Sequence, residues 1–300
     1  MAIVNTHYGF CAKGGAVPKF TYTGEYNVRD DGVVELLTSG TLVFLEPALI
    51  DVFCVGGGGR GGEVRVATGI PVGSGEGYGG GGSGYTATRK KYEASGQYII
   101  TIGQGSIENS TDTEERRGGT TSFGDVLSAL GGFSGYVNRE GTSGAKAKRS
   151  MQGRDGGSGG AGGVTSNADF GAGGSDGGNG ENGYYSSTYT PDGGAGQGIT
   201  TREFGESTGK LYAGGGGSGR YLIGNTPIIS AGGSGGGGSG AWGNSKFAKY
   251  QAASAGGANT GGGGGGGVYY AKANGETTPF SYLSGAGGGS GIVCFRAALS

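Results

Sequence analysis

"GGVTSNADFGAGGSDGGNGENGYYSSTYTPDGGAGQG", from Gly162 to Gly198, contains almost none of the residues that build a hydrophobic core. It is either a flexible linker broken by a few aromatics or a stretch in which the backbone itself is the structural material. The whole chain poses the same choice, because 81 of its 300 residues are glycine and only 6 are proline. Collagen needs an unbroken Gly-X-Y register rich in proline, and neither is present. Disorder is the competing reading, since Gly/Ser-rich tracts are commonly flexible. Disordered chains, however, are poor in aromatic and β-branched residues, and this chain carries 17 Tyr and 11 Phe.

Inside several glycine runs the residues fall into rows spaced by three. Gly153, Gly156, Gly159 and Gly162 form one row beside Asp155, Ser158, Ala161 and Val164. Gly171, Gly174, Gly177, Gly180 and Gly183 form the next, beside Asp176, Asn179 and Asn182; Gly232, Gly235, Gly238 and Gly285, Gly288, Gly291 repeat the feature. Three residues per turn is the period of polyproline II, which makes no internal hydrogen bonds and turns its N–H and C=O groups outward. Side-by-side helices of this kind can bond to one another if their facing rows carry no Cβ, which leaves side chains to the outer rows. Ordering a residue costs roughly 1–2 kcal/mol, with glycine at the expensive end, while a net hydrogen bond returns about 0.5–1.5 kcal/mol. Such a bundle therefore needs paired interior groups and a conventional domain clamping its ends.

That domain is legible on both sides of the glycine region. Segments such as "KFTYTG", "VVELLTSGTLVFL", "LIDVFCV", "YTATRKKYEA", "QYIITIG" and "TTSFGDVLSAL" are rich in β-branched and aromatic residues and bounded by turn residues. They predict a β-sandwich with almost no α-helix. The expected division is 1–18 as a docking segment or first strand, 19–150 as the sandwich, 151–291 as the polyglycine II bundle, and 292–300 as a strand returning to the sandwich. Glycine runs also occur earlier, at 56–62 and 75–84. Cys54 and Cys294 stand in strand-like runs that can be sheet neighbours, and a reducing site of folding argues against a disulfide.

The inserts between the runs read as turns at the two ends of the bundle. They supply Tyr184, Tyr185, Tyr189, Phe204, Tyr212, Trp242, Phe247, Tyr250, Tyr269, Tyr270, Phe280 and Tyr282. Aromatic, Ser/Asn-rich loops on a rigid frame are the material of contact surfaces, because Tyr gives large contact area at low entropy cost. The competing expectation is that part of this set simply packs over the bundle ends.

Other function classes fare poorly. The formal net charge of −1 lacks the basic excess of a nucleic-acid binder. No long apolar run predicts a membrane span, and the start "MAIVNTHYGFCAKGGA" does not read as a Sec signal. His7 is the only histidine, so Ser-His-Asp and HExxH chemistry have little to work with. Gly209-Lys210 is followed by Leu211, which is no phosphate loop. Asp176, Asn179 and Glu181 form a weak metal candidate. The expectation is a protein that is not an enzyme and uses no cofactor or metal.

"FTYTGEYNVRDDGVVELLTSGTLVFLEPALIDVFCVGGGGRGG", followed by "GGGGSGYT", "YIITIGQG", "GGTTSFG" and "GGGSGIVCFR", resembles the glycine-rich proteins encoded in phage and prophage tail-fibre regions. The region from 151 is similar in style to tail-fibre tip adhesins, in which loops between polyglycine II helices touch the host receptor. The pairing of a jelly-roll-like β module with a glycine-helix insertion also resembles the extracellular glycine-rich region of the anaplastic lymphoma kinase receptor family, and this resemblance implies a jelly-roll-like β-sandwich. The tail-fibre resemblance implies a virion tail protein, made in the host cytoplasm and acting outside it. It further implies binding to a bacterial surface protein or glycan, contact with other tail proteins, and a multicopy or homo-oligomeric assembly, with the twelve aromatics above as receptor-contact candidates. A tail-fibre connector or capsid decoration is the alternative.

Overall fold

The computed structural model describes residues 5–7, 11–12, 15–64, 75–111, 114–138, 152–156, 171–183, 190, 192–221, 229–244, 249–271 and 280–299. Among these the fold is mainly β and contains no α-helix. In the first half of the chain the strands are β1 (Asn5–His7), β2 (Cys11–Ala12), β3 (Gly15–Ala16), β4 (Phe20–Tyr22), β5 (Tyr26–Val28), β6 (Val34–Leu36), β7 (Gly40–Val55), β8 (Glu63–Val64), β9 (Gly75–Gly77), β10 (Thr86–Thr101), β11 (Thr121–Phe123), β12 (Leu127–Ala129) and β13 (Val137–Asn138). In the second half they are β14 (Arg220–Tyr221), β15 (Trp242–Asn244), β16 (Lys249–Gln251), β17 (Val268–Ala271), β18 (Phe280–Leu283) and β19 (Ile292–Ala297).

The largest sheet runs β12-β11-β10-β7-β19-β6-β5, with β4 also beside β7 and β1 beside β4. Its spine is the antiparallel pair β7 and β10, whose register shifts between Arg89 and Tyr92 and again between Ala94 and Gly96. Residues 42–44 of β7 carry β4, whereas residues 50–55 carry β19. The two halves fold over one core: Phe295 of β19 meets Phe20 of β4 and Phe44 of β7 edge to face, with ring centroids 5.4 and 5.6 Å apart. This is a sandwich-like arrangement.

The continuous apolar runs "VFCV" and "IVCF" follow from burial on both faces. Val52, Cys54, Val293 and Phe295 point into the sandwich core. Phe53, Val55, Ile292 and Cys294 point to a second core on the other side, where Phe204, Tyr212 and Ala213 cover them. Cys54 pairs in register with Val293 and Cys294 with Phe53, so the two thiols lie on adjacent strands but opposite faces. Both are free, and burial pushes both thiols up.

Between the sandwich strands the glycine runs form a lattice held by main-chain hydrogen bonds. Around segment 56–62 the partners recur every third residue. Gly58 and Gly61 donate to Gly289 and Ala286, and Gly59 and Gly62 to Gly82 and Gly79. Gly264 and Gly267 donate back to the carbonyls of Gly59 and Gly62, and Gly132 and Gly135 to those of Gly57 and Arg60, all at 2.7–2.9 Å. Segment 261–267 repeats the pattern: Gly263 and Gly266 donate to Gly214 and Gly217, while Gly238 and Ala241 donate to Gly263 and Gly266. This threefold recurrence is the period of polyproline II, and no hydrogen bond stays within either segment.

Segment 261–267 explains its own composition. A Cβ on Gly262, Gly263, Gly264, Gly265 or Gly266 would lie 1.8–2.1 Å from a backbone oxygen of a different neighbour in turn, those of Gly236, Gly81, Ala286, Ser239 and Tyr78. Lattice neighbours surround it, so no row faces outward and seven consecutive glycines are required. At the lattice edge, "GGAGQG" (193–198) carries exposed Ala195.

Runs 56–62 and 75–84 do not belong with the sandwich to which a division at residue 150 assigns them; 56–62 and 78–84 sit in the lattice. The chain passes from β7 into the lattice and returns to β10, so sandwich and bundle interleave along the sequence. Asn5–His7 pairs with β4, and β19 lies between β7 and β6. Gly159, Gly162, Ser158, Ala161 and Val164 lie outside the described residues.

Candidate interaction surface

The two ends of the bundle differ. At one end β7, β10, β12 and β19 run directly into lattice segments, joined by Gly56 to Tyr85 and Gly291 to Gly103. At the other end the chain leaves the lattice and becomes strand again where β-branched or aromatic residues resume, at β8 and β13 to β18, and at β9, a Gly-Glu-Gly strand that pairs with β17. These short strands make three small sheets, β8 with β13, β9-β17-β18 and β14-β15-β16. They touch one another through β17, which meets β8, β14 and β15, and through β14 with β9. They cap the bundle as a crown.

Under the crown lies a small apolar cluster of Tyr221, Ala241 and Val268, with Ala253 and Leu283 against it. Beside it are buried polar groups. Tyr78 Oη donates to Glu76 Oε2 at 3.1 Å, and Glu76 faces Tyr269 across the β9–β17 pair. Burial raises the Glu76 carboxyl above its usual range. Burial, and then the charge of Glu76, push the Tyr269 phenol up to about 12. Arg220 is only 2% exposed, and burial lowers its guanidinium to about 10.

The aromatic candidates separate by position. Tyr250 on β16 is 63% exposed and Tyr282 on β18 is 58% exposed. Tyr270 and Phe280 lie on β17 and β18 of the same crown. Trp242 and Tyr269 are buried beneath it, with Trp242 Nε1 donating to Gln251 Oε1 at 3.1 Å. Tyr184, Tyr185, Tyr189 and Phe247 lie outside the described residues; the chain on either side of 184–191 and of 245–248 reaches the crown end.

Phe204 and Tyr212 are not surface contacts. They sit at the sandwich end, where they fill the second core against Phe53, with ring centroids 6.1 and 5.4 Å from it. An ion network pins their segment. Arg29 makes a bidentate pair with Glu203, at 3.0 and 2.7 Å, and contacts Glu35 and Asp31; Arg296 bridges Asp51 and Glu206 and stacks 4.2 Å from the Phe204 ring. This network borders an open cleft of about 640 Å³ lined by Arg29, Glu203, Lys210 and Arg296. Its charges are paired with one another, so it reads as a clamp.

The metal candidate also has another occupation. Asn179 and Asn182 accept from the N–H groups of Gly196 and Gly193 at 2.9 and 2.8 Å, Asp176 accepts from Thr201, and Glu181 accepts from Ala172. The row expected to point outward instead supplies side-chain acceptors to the neighbouring helix. Among the described residues no cluster of His, Cys, Asp or Glu could hold a metal ion. Sequence reasoning missed the half-buried Glu76 and the buried Arg220, since nothing local in the sequence marks either side chain for the interior.

Neither the curated proteins nor the solved structures hold a match to the chain. A family model described as a glycine-rich domain matches residues 38–298, which takes in the sandwich spine, the lattice, the crown and β19. The chain belongs to this glycine-rich domain family.

Proposed function

We propose that this protein is a phage or prophage tail-associated adhesin that binds a bacterial surface receptor without covalent chemistry. The observation that supports the reading most is topological. The short strands β8, β9 and β13 to β18 gather at the end of the lattice opposite the sandwich, where the chain leaves the lattice repeatedly. A stiff backbone lattice between clamp and crown would hold these strands, with Tyr250 and Tyr282, in fixed relation to one another. Preorganised aromatic surfaces of this kind lower the entropy cost of binding.

The test is binding of fluorescently labelled protein to intact cells of a panel of bacterial strains. Variants carry equal-length Gly-Ser replacements of 222–228 or 272–279. The reading predicts strain-selective binding that at least one replacement abolishes while the melting temperature is unchanged. Indifference to strain, or binding only to other virion proteins, would refute it. Release of soluble oligosaccharide would move the protein to the enzymes.

A further inference from the structure

The lattice has two kinds of edge. At 192–198 the N–H groups of Gly193, Ala195 and Gly196 are capped by the side chains of Asn182, Asp155 and Asn179 at 2.7–2.9 Å, beside exposed Glu181 and Asp192. The edge made by segments 103–107, 284–291 and 252–257 is built differently. These three lie side by side: Gly288 and Gly291 donate to Ser106 and Gly103, and Gly256 donates to Gly287. None of their residues is charged. Among the described residues the N–H groups of Gln104, Gly105, Ala255, Gly287 and Ser290 have no acceptor, and Gly287 and Ser290 are one threefold turn apart.

Gly287 has no internal reason to be glycine. A Cβ there would meet nothing closer than Ser106 O at 3.4 Å and Ile107 Cγ2 at 3.6 Å, and its φ is not positive. At the interior positions 262–266 a Cβ collides with backbone. Ile107 beside it is 75% exposed.

We propose that this edge is a self-association face, across which a second copy of this chain continues the lattice. An uncapped row of backbone donors is a template for pairing, and proteins that avoid pairing blunt such edges with charge, as the 192–198 edge does. The lattice already joins segments running in opposite directions, 56–62 against 79–82 and 286–289, so a twofold-related copy can meet this face with the same bonding pattern. Gly287 leaves room for the partner's backbone, and Ile107 supplies apolar area at the rim.

The experiment is sedimentation velocity over a wide concentration range on the wild type, Gly287→Lys and Ala195→Lys. The open space at Gly287 lets the lysine fold without collision. The expected result is a dimer in the wild type and in Ala195→Lys, and a monomer in Gly287→Lys whose melting temperature equals that of the wild type at concentrations where it too is monomeric. A wild type that stays monomeric, or a Gly287→Lys protein that still dimerises, overturns the proposal. Hydrogen exchange of the wild type gives a second reading independent of folding of the variant. The Gly287 and Ser290 amides should slow as concentration rises, and exchange independent of concentration overturns the proposal too.

Discussion

Replacing Gly265 by alanine puts a methyl where the lattice has no space. The new Cβ would stand 1.8 Å from Ser239 O and 2.4 Å from Ser239 C, neither of which can rotate away. To reach ordinary contact the 238–241 segment must retreat by about 1.6 Å, which breaks the bonds from Gly238 to Gly263 and from Ala241 to Gly266, now 2.8 and 2.9 Å. Each donor is buried, and stranding one costs about 1–3 kcal/mol. Alanine restricts the unfolded chain and returns about 0.4–1 kcal/mol. The net expectation is a loss of about 2–5 kcal/mol. Gly287→Ala adds the same methyl in open space and should be neutral or stabilising by up to about 1 kcal/mol. Urea unfolding of both variants, at protein concentrations low enough to exclude association, measures the difference. Equal stabilities would refute the claim that main-chain contact sets the requirement for glycine.

Further outcomes follow from the clamp and the edges. Glu203→Gln removes a buried partner of Arg29 and should cost about 1.5–3 kcal/mol in the same assay, with the 203–212 segment becoming protease-sensitive. Arg29 holds the Asp31 carboxyl below its usual range, and Arg296 does the same for Glu206. Their stabilisation is present above the unfolded values near pH 4 and is lost as pH falls through the lower folded values, so the melting temperature should drop in acid. Glu76 acts in the opposite sense, because burial raises its carboxyl and keeping it charged opposes folding at neutral pH. Glu76→Gln should therefore raise the melting temperature at pH 7 and leave it unchanged in acid, below both the folded and unfolded values. Asn179→Ala should speed hydrogen exchange at Gly196 and cost only about 0.5–1.5 kcal/mol, since water can replace the lost acceptor at an exposed edge.

The sandwich strands were readable because β-branched residues and turn glycines mark them, and the two-sided burial of "VFCV" is written as an unbroken apolar run. The threefold glycine rows were readable as a period, and the row Asp176, Asn179, Asn182 turned out to be structural. Which runs pack together was not readable, because glycine carries no side-chain pattern that distinguishes one neighbour from another. For that reason a division at residue 150 left the runs at 56–62 and 75–84 on the sandwich side, whereas 56–62 and 78–84 bond into the lattice. The candidate site was half legible. Tyr250 and Tyr282 are exposed at the crown, but Phe204 and Tyr212 share the composition of an insert while serving a core, and only the β7–β19 pairing creates the face they cover.

Amide hydrogen exchange resolved to single residues tests the central claim most directly. If the bundle is held by backbone bonds between neighbouring segments, the amides of Gly58, Gly59, Gly61 and Gly263 to Gly267 will exchange as slowly as those in the paired strands β7 and β10. Exchange at those glycines as fast as in an unstructured peptide, with β7 and β10 still protected, would contradict it.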